Sequence, residues 1–572
     1  MKNMLVAKVL YEIADMLEMQ DVQFKPQAYR RAARNIEAMS EPIEDYVATG
    51  RLKEIPGVGE GIGKKIKELV ETGRLRYYEK LKKQMPMDFE SMLSIEGMGP
   101  KTVKLLYKRL KIKTLSDLER AAREHKLRKI KGLGPKIEEN ILENIELARQ
   151  KKKRTLLGLA LPLAENIKKR LMPKVKSIEI AGSLRRMKET IGDIDILVTS
   201  RQPRAVADAF TSMEDVEKIL AKGPTKCSVR LKSGMQADLR IIEERSFGSA
   251  LMYFTGSKDH NISLRKIAIS KGMKLSEYGL FKRERQIAGK TEKEVYRKLG
   301  MQFIPPELRE NRGEIEAALK HRIPKLIDYG DVKGDLQMHS KWSDGSNSIE
   351  ELAKAAKALG YEYICISDHA GRMRIARGLN ERQLREQIRE IDRVNKKLGN
   401  EITVLKGAEV DIGRDGTLSI SNAMLKELDI VIASVHSIFK QTKETMTKRL
   451  IAAMENEYVH IIGHPTGRKL QEKRPCELDF EQIFEASKRT GTLLEINAQP
   501  QRLDLNDINT RAAIEAGCKL VINTDAHTVE SLKFMRFGIA VARRGWAERK
   551  DILNTLPLRK LLKVLKITNS SN

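Results

Sequence analysis

Ile178–Thr199 reads IEIAGSLRRMKETIGDIDILVT: an apolar strand start, a turn at Ala181-Gly182-Ser183, a pair of arginines, then a second alternating strand. In that second strand Asp193 and Asp195 stand at i and i+2. They face one side, roughly 6–7 Å apart, while the isoleucines beside them face the other side and a core. Carboxylates at that spacing can reach one metal ion or two adjacent ones. Gly182 and Ser183 offer backbone N–H groups and a hydroxyl to a phosphate, and Arg185 and Arg186 supply charge. Together these features point to metal-dependent phosphoryl or nucleotidyl transfer. The plainer alternative is a D-x-D on an exposed strand edge beside a solvated basic loop, and the G-S-x-R-R upstream weighs against it.

At 572 residues the chain is too long for one core, and three or more domains are expected. No apolar run is long enough to span a membrane. The first residues, MKNMLVAKVLYEIADML, read as a domain helix and not as a signal peptide. Cys227, Cys365, Cys476 and Cys518 lack pairing or C-x-x-C spacing, which suggests a reducing cytoplasm and no zinc finger. The net charge of +29 is unevenly spread. Residues 151–330 carry 38 Lys/Arg against 22 Asp/Glu, far more excess than either flank, so a polyanionic partner is expected around the D-x-D segment.

The first helix is amphipathic, with Leu5, Val9, Leu10, Ile13, Met16 and Leu17 at helical spacing. A second, arginine-rich helix is expected over Gln27–Met39. Then IPGVGEGIGKK begins at Ile55, IEGMGPK at Ile95 and IKGLGPK at Ile130. Each is an apolar residue, a G-x-G turn and the start of a basic helix. Such a turn aims backbone N–H groups outward to grip a DNA phosphate without reading bases. One G-x-G is a common turn, but three at 35–40 residue spacing indicate helix-hairpin-helix modules gripping DNA through Gly57, Gly59, Gly97, Gly99, Gly132 and Gly134. The run at Lys151 marks a boundary. Beyond the D-x-D strand, Met213–Leu220 is expected to be helical, followed by strands Thr225–Leu231 and Gln236–Ile242. Asp238 lies mid-strand between apolar neighbours, where an unpaired carboxylate is costly. A third metal-facing acid explains it, and a salt bridge to Arg240 is the alternative. Tyr253 and Phe254 precede Thr-Gly-Ser and could platform a sugar and base.

In this order, G-S-x-R-R…G-D-x-D, Asp238, Tyr253-Phe254-Thr255-Gly256-Ser257, Lys271-Gly272…Ser276-Glu277-Tyr278 and FIPPELR from Phe303 make residues 1 to about 315 resemble the family X DNA polymerases, of which polymerase beta is the familiar member. The resemblance implies that Asp193, Asp195 and Asp238 bind two divalent ions, Mg²⁺ or Mn²⁺. It implies that Ser183, Arg186 and Gly192 hold a triphosphate, that Tyr253, Phe254 and Gly256 contact the sugar, and that Asn261 contacts the base edge. Arg265 matches an arginine that touches the template strand. Lys258 departs from the aspartate of polymerase beta. Lys65 falls on the family's lyase lysine, with a phosphate-contacting lysine as the alternative.

After Pro324 a new rhythm starts. Short apolar strands end in His339, Asp368-His369, Glu409, His436, His464, Asn497 and Asp525-Ala-His527, with helical segments between. Polar, metal-ligating residues at the C-terminal ends of alternating strands describe a β/α barrel with a metal-binding mouth. Residues 331–572 resemble the polymerase-and-histidinol-phosphatase (PHP) domain, a trinuclear metal phosphoesterase. By that resemblance the ligands are His339, Asp344, His369, Glu409, His436, His464, Asp525 and His527, holding up to three ions such as Mn²⁺ or Zn²⁺. The family commonly opens with H-x-H; here the first position is Gln337, a poorer ligand than imidazole.

The expected fold is multidomain. It comprises α-helical helix-hairpin-helix domains (1–80 and 81–150), an α+β nucleotidyltransferase palm (151–245), a nucleotide-binding subdomain (246–318), a linker (319–330) and a β/α barrel of PHP type (331–572). The expected function is a family X repair polymerase that fills short gaps in base excision repair. A metal-dependent 3′–5′ exonuclease or phosphodiesterase is joined to it, with incision at abasic sites as an extension of the same chemistry. Its partners are gapped or nicked double-stranded DNA and dNTPs, and it acts as a cytoplasmic monomer with no membrane. The rivals are a DNA-anchored phosphatase of a small phosphate ester and a non-catalytic DNA-end scaffold.

Overall fold

The period-2 alternation around Asp193 sets one face of a sheet. In the computed structural model, which describes all residues except 1, 38–42, 56, 86, 94, 96–97, 131, 140, 143–144, 146–153, 372–376 and 566–572, that sheet has five strands. Their order is Ser177–Ile180, Asp193–Thr199, Gln236–Ile241, Lys226–Leu231, Val216–Lys222. Ile194, Ile196 and Val198 point into a core with Leu157, Leu161 and Ile167 of the helix Leu157–Leu171 and Val206 and Phe210 of Pro203–Thr211. Leu197 lies on the opposite face, against Ala250 and Leu251 of the helix Phe247–Thr255. The D-x-D carboxylates share that second face because the pleat alternates.

Residues 213–220 are not helical. They enter the edge strand Val216–Lys222, paired antiparallel with Lys226–Leu231. The segment buries almost nothing of its own, so partner pairing decides its conformation, and the helix lies earlier in the chain.

Contacts divide the chain into Met1–Lys153 and Arg154–Asn572. The first unit is helical. One apolar cluster runs through it from Val6 to Ile145, and Val9, Leu10, Ile13, Met16 and Leu17 form its stripe on the first helix, Lys2–Met19. The glycine turns share one geometry: Val58 N–H bonds Ile55 C=O, Met98 bonds Ile95 and Leu133 bonds Ile130. Gly57 and Gly132 have φ of 86° and 95°, which favours glycine, while Gly59 and Gly99 are extended and open the helices Glu60–Thr72 and Pro100–Leu110. Gly97 and the 151–153 lysines lie outside the described residues.

Within the second unit the palm is followed by a three-stranded antiparallel sheet (Met273–Ser276, Gly279–Lys282, Arg285–Ala288) and then by parallel strands in the order Gly334–Met338, Tyr363–Ile366, Thr403–Asp411, Ile430–Ser434, Ile461–Ile462, Leu493–Asn497, Leu520–Asn523. A parallel bridge between Met338 and Ala526, with His339 N–H donating to Ala526 C=O at 2.8 Å, ties the last strand's end back to the first. The result is a near-closed parallel barrel whose C-terminal strand ends converge. Residues 319–330 are mostly exposed but anchored: Ile323 and Leu326 are buried, Ile327 is fully buried, and its N–H bonds Ala547 C=O at 2.9 Å.

Candidate active sites of the palm and the barrel

In the palm, the parallel register sets Asp195 directly opposite Asp238, with Asp193 two residues back on the same face. A Cβ on Gly182, whose φ is 65°, would meet Asp195 Oδ2 at 2.4 Å, so the phosphate turn can lie on the carboxylate only as glycine. Burial, then the charges of Asp193 and Asp238, push the Asp195 carboxyl up to about 7. Three acids held this close are stable as anions only with cations among them, which fits a divalent-metal site. Asp238 accepts from Gln236 Nε2 at 2.9 Å and has Lys226 Nζ at 3.5 Å. Arg240, the alternative partner, instead stacks on the Phe254 ring at 4.1 Å.

The two arginines of the turn separate. Arg185 forks onto Glu292 at 2.8 and 2.7 Å, and Glu292 also accepts from the buried Arg309, so Arg185 braces the palm against the following subdomain. Arg186 lies against Gly256, where a Cβ would be 3.1 Å from its Nη1, and donates to Thr255 C=O. Of the expected triphosphate, sugar and base residues, Arg186, Tyr253, Phe254, Gly256 and Asn261 are brought together: Asn261 Nδ2 donates to Tyr253 C=O at 2.7 Å, and Tyr253 and Phe254 meet edge to face with centroids 5.1 Å apart. Arg265 lies one turn beyond Asn261 on the helix Lys258–Ser270. In the helical unit, the Lys65 amine caps Gly61 C=O at 3.0 Å and lies over the Tyr77 ring, and burial and the nearby Lys25 charge lower its pKa.

The barrel mouth is built around Glu409. His464 Nε2 is 3.0 Å and His436 Nε2 3.2 Å from its Oε1; His369 Nδ1 is 3.1 Å and His339 Nε2 3.5 Å from its Oε2. Asp525 Oδ1 is 3.1 Å from His339 Nε2, and Asp344 Oδ1 is 3.4 Å from His527 Nε2. Two sets bring their donor atoms within 4.8 Å of one another: His339, Asp344, His369 and His527, and His369, Glu409 and His436. Burial alone would lower His527 and His436. The carboxylates of Asp344 and Asp525 around the first, and of Glu409 and Asp411 around the second, outweigh it and hold both at about 9. An imidazolium here stands for the charge that a cation supplies. Both ring nitrogens of His339 and His436 are buried without a hydrogen-bond partner, as are both amide atoms of Gln337. This unsatisfied nitrogen and oxygen donor set fits divalent metals.

Several participants lie outside the ligand set that the sequence suggested. Asp368 accepts from Ser340 N–H at 2.7 Å and from Gln387 Nε2 at 2.5 Å, and also from Ser343, so it shapes the loop that carries His339 and Asp344. Buried Glu495 accepts from Asn523, Asn497 and the His464 N–H. Asp335 accepts from Thr524 across the barrel seam. A cavity of about 300 Å³ at the mouth is lined by the ligand candidates together with Lys469, Gln499, Gln501 and Arg502. Asp368 at a strand end beside a ligand histidine was a readable signal. Lys469 and Arg502 carried none, since nothing local separates them from surface cations.

Family models match four stretches of the chain: a helix-hairpin-helix domain over 1–75, a SAM-like helix-hairpin-helix tandem over 89–146, a DNA polymerase beta thumb over 250–310 and a PHP domain over 335–499. DNA polymerase lambda of Rattus norvegicus is 25% identical over 54% of this chain and 56% of its own. A probable phosphatase of Thermoanaerobacter sp. (strain X514) is 30% identical over 36% of this chain and 84% of its own. The DNA polymerase/3′-5′ exonuclease PolX of Bacillus subtilis (strain 168) is 38% identical over 98% of this chain and 99% of its own. With palm, thumb and PHP barrel following the helix-hairpin-helix unit in one chain, this protein belongs to the PolX family, the family X DNA polymerases that carry a PHP domain.

Proposed function

We propose that the chain is a DNA-directed DNA polymerase that fills short gaps in repair, with a 3′–5′ exonuclease in its barrel. The observation that carries the first half is the register of Asp195 with Asp238, with the Gly182-Ser183 turn resting on Asp195. Asp193, Asp195 and Asp238 would hold two Mg²⁺ or Mn²⁺ ions. Glu409, with the five histidines, Asp344 and Asp525, would hold ions of the Mn²⁺ or Zn²⁺ kind. When bound, such ions lower the pKa of an attacking oxygen and neutralise the charge of the leaving group. The chain's own residues do the rest. Ser183, Arg186 and the backbone at Gly192 seat the triphosphate, Tyr253 and Gly256 border the sugar, and Asn261 reaches the base. The Gly57–Gly59 and Gly132–Gly134 turns, with the lysines of their helices, hold gapped or nicked duplex by its phosphates. In the barrel, Lys469 and Arg502 flank the ligands, placed to hold a terminal phosphodiester in a cavity that suits a single nucleotide.

Among the described residues no helix is long and apolar enough to cross a membrane. We infer that the protein works as a cytoplasmic monomer. The direct test of function is one labelled primer on gapped DNA with Mg²⁺ or Mn²⁺, with and without dNTPs. Extension with dNTPs and shortening without them are expected; neither product would leave only a DNA-end scaffold. Shortening of the primer separates the exonuclease reading from a small-ester phosphatase, which would leave DNA untouched.

Two further results are expected. Tyr253→Ala should lower the preference for dNTPs over rNTPs about tenfold, since an aromatic edge beside the ribose excludes a hydroxyl by contact. Phe254→Ala should act less, because Phe254 is already stacked by Arg240. Single-nucleotide incorporation with each nucleotide type measures the ratio, and an unchanged ratio in both variants would place the sugar elsewhere. Gln337 puts an amide where the family places imidazole, so one barrel ion is held more weakly than its neighbours. After desalting, Gln337→His should retain about one more ion per chain than wild type, by elemental analysis, with faster 3′-end degradation. Equal metal content would show that this position is already filled.

A further inference from the structure

The helix Met535–Arg544 ends on an arginine that does not serve the barrel mouth. The Arg544 side chain is 2% exposed and reaches into the polymerase core. Its Nη1 donates to the Arg186 carbonyl at 2.8 Å and to Glu310 Oε1 at 3.1 Å, while its Nη2 donates to Asp507 Oδ2 at 2.6 Å. The same Glu310 Oε1 accepts from Arg186 Nε at 2.9 Å. One carboxylate oxygen is therefore shared between a barrel arginine and the arginine assigned to the nucleotide triphosphate. Lys188 approaches Glu310 at 3.8 Å, and Arg312 pairs with Asp507 at 3.1 Å. Four cations thus meet two carboxylates.

We propose that the barrel domain completes the nucleotide site of the polymerase: Arg544 and Glu310 are positioning residues that fix Arg186 against Gly256 and leave its charge available to a triphosphate. The proposal rests on Arg186 binding nucleotide.

Two physical effects carry it. The first is geometric. Arg186 is held at its backbone by Arg544, at Nε by Glu310 and at Nη1 by the Thr255 carbonyl, so its long side chain has surrendered its rotamer freedom before a nucleotide arrives. The second is electrostatic. A lone Glu310 would pair with Arg186 and cancel it. Because Glu310 is also bonded by Arg544, and Asp507 divides itself between Arg544 and Arg312, the cluster keeps a positive surplus at the end where Arg186 lies. The other bridges between core and barrel, such as Arg536 with Glu165 at 3.0 Å and Gln471 with the Arg154 carbonyl at 2.8 Å, fasten the two parts without touching a nucleotide residue. They provide the internal control.

The test is steady-state single-nucleotide insertion on gapped DNA by the full-length chain, with 3′-end degradation and thermal melting measured on the same preparations. Arg544→Ala and Glu310→Ala are each expected to raise the dNTP KM about tenfold, the scale of a lost charge-assisted hydrogen bond. Both should keep kcat within about threefold and degradation at the wild-type rate. Arg544→Lys, which keeps the charge but not the planar fork, should recover part of the loss. Arg536→Ala, which loosens the same interface elsewhere, should leave KM unchanged. Adding Arg544→Ala to Arg186→Ala should cost little more than Arg186→Ala alone. Where the vacancy at Arg544 prevents folding, Glu310→Gln gives the same reading without opening a cavity, because it keeps the side chain's volume. If Arg186→Ala raises KM while the Arg544 and Glu310 variants do not, or if Arg536→Ala raises it equally, the positioning role is overturned. If Arg186→Ala itself leaves KM unchanged, the nucleotide assignment of Arg186 is what fails.

Discussion

Asp193→Ala or Asp238→Ala is expected to slow primer extension at least about a thousandfold while gapped-DNA affinity stays within about threefold of wild type. The size follows from chemistry: a divalent ion stabilises a phosphoryl transition state by several kcal/mol, and each 1.36 kcal/mol is a factor of ten. The selectivity follows from the division of labour. The three acids sit at one face of two adjacent strands, whereas affinity is expected to come from phosphate contacts by the hairpin turns and basic helices. Nor should either change unfold the palm. Burial chiefly, and then the charges of Asp193 and Asp238, lift the Asp195 carboxyl to about 7; removing one acid relieves the second of these, so the variants should melt at or above the wild-type temperature. Single-turnover insertion, a gel shift with gapped DNA and a melting curve check the three parts. Extension within about tenfold of wild type would remove these aspartates from the chemistry.

What the sequence made legible was whatever repeats at short range. The D-x-D strand shows both its core face and its acid face because side chains alternate, and the fold places Ile194 and Ile196 on one side and Asp195 on the other accordingly. The barrel strands were readable because short apolar runs ending in His, Asp or Glu recur, and His369, Glu409, His436, His464 and Asp525 meet at one mouth. What long-range pairing decides was not readable. Val216–Lys222 is a strand only because Lys226–Leu231 lies beside it. Arg185 and Arg186 are neighbours in sequence, yet Glu292 takes one and Glu310 the other, from positions more than a hundred residues away. Asp335 and Glu495 look like ordinary strand acids until the barrel closes and brings Thr524 to the first and Asn523 to the second. The interface of core and barrel was hidden for the same reason: residues 319–330 have a linker's composition, but Ile327 is pinned to Ala547.

Asp525→Ala combined with His527→Ala is expected to remove 3′-end degradation, by at least about a thousandfold, while gap filling stays within about threefold of wild type. Asp525 and His527 follow the strand Leu520–Asn523 and both line the mouth, and each pairs with another ligand candidate: Asp525 with His339 at 3.1 Å, His527 with Asp344 at 3.4 Å. Asp525 has φ of 52° and His464 of 29°, a backbone region that non-glycine residues rarely adopt and that the surrounding bonds must maintain. Losing both side chains opens two of the places where an ion would be held. The lost carboxylate also leaves His339 with no acid nearer than Glu409 and Asp344. The polymerase should be spared even though core and barrel form one unit, because the barrel reaches the nucleotide residues through Arg544, at the end of an outer helix, and not through the mouth. The remaining activity should also reveal which ions the mouth takes. Imidazole-rich sites favour Mn²⁺ over Mg²⁺, so wild-type degradation should be faster in Mn²⁺ and the difference should vanish with the double variant, while extension keeps its own metal dependence. A primer time course with and without dNTPs in each metal gives all of these values. Degradation persisting in the double variant would place the nuclease outside the barrel mouth. Extension falling together with degradation, while Arg544 and Glu310 remain intact, would mean that the mouth and the nucleotide site communicate by a route other than the Arg544 bridge.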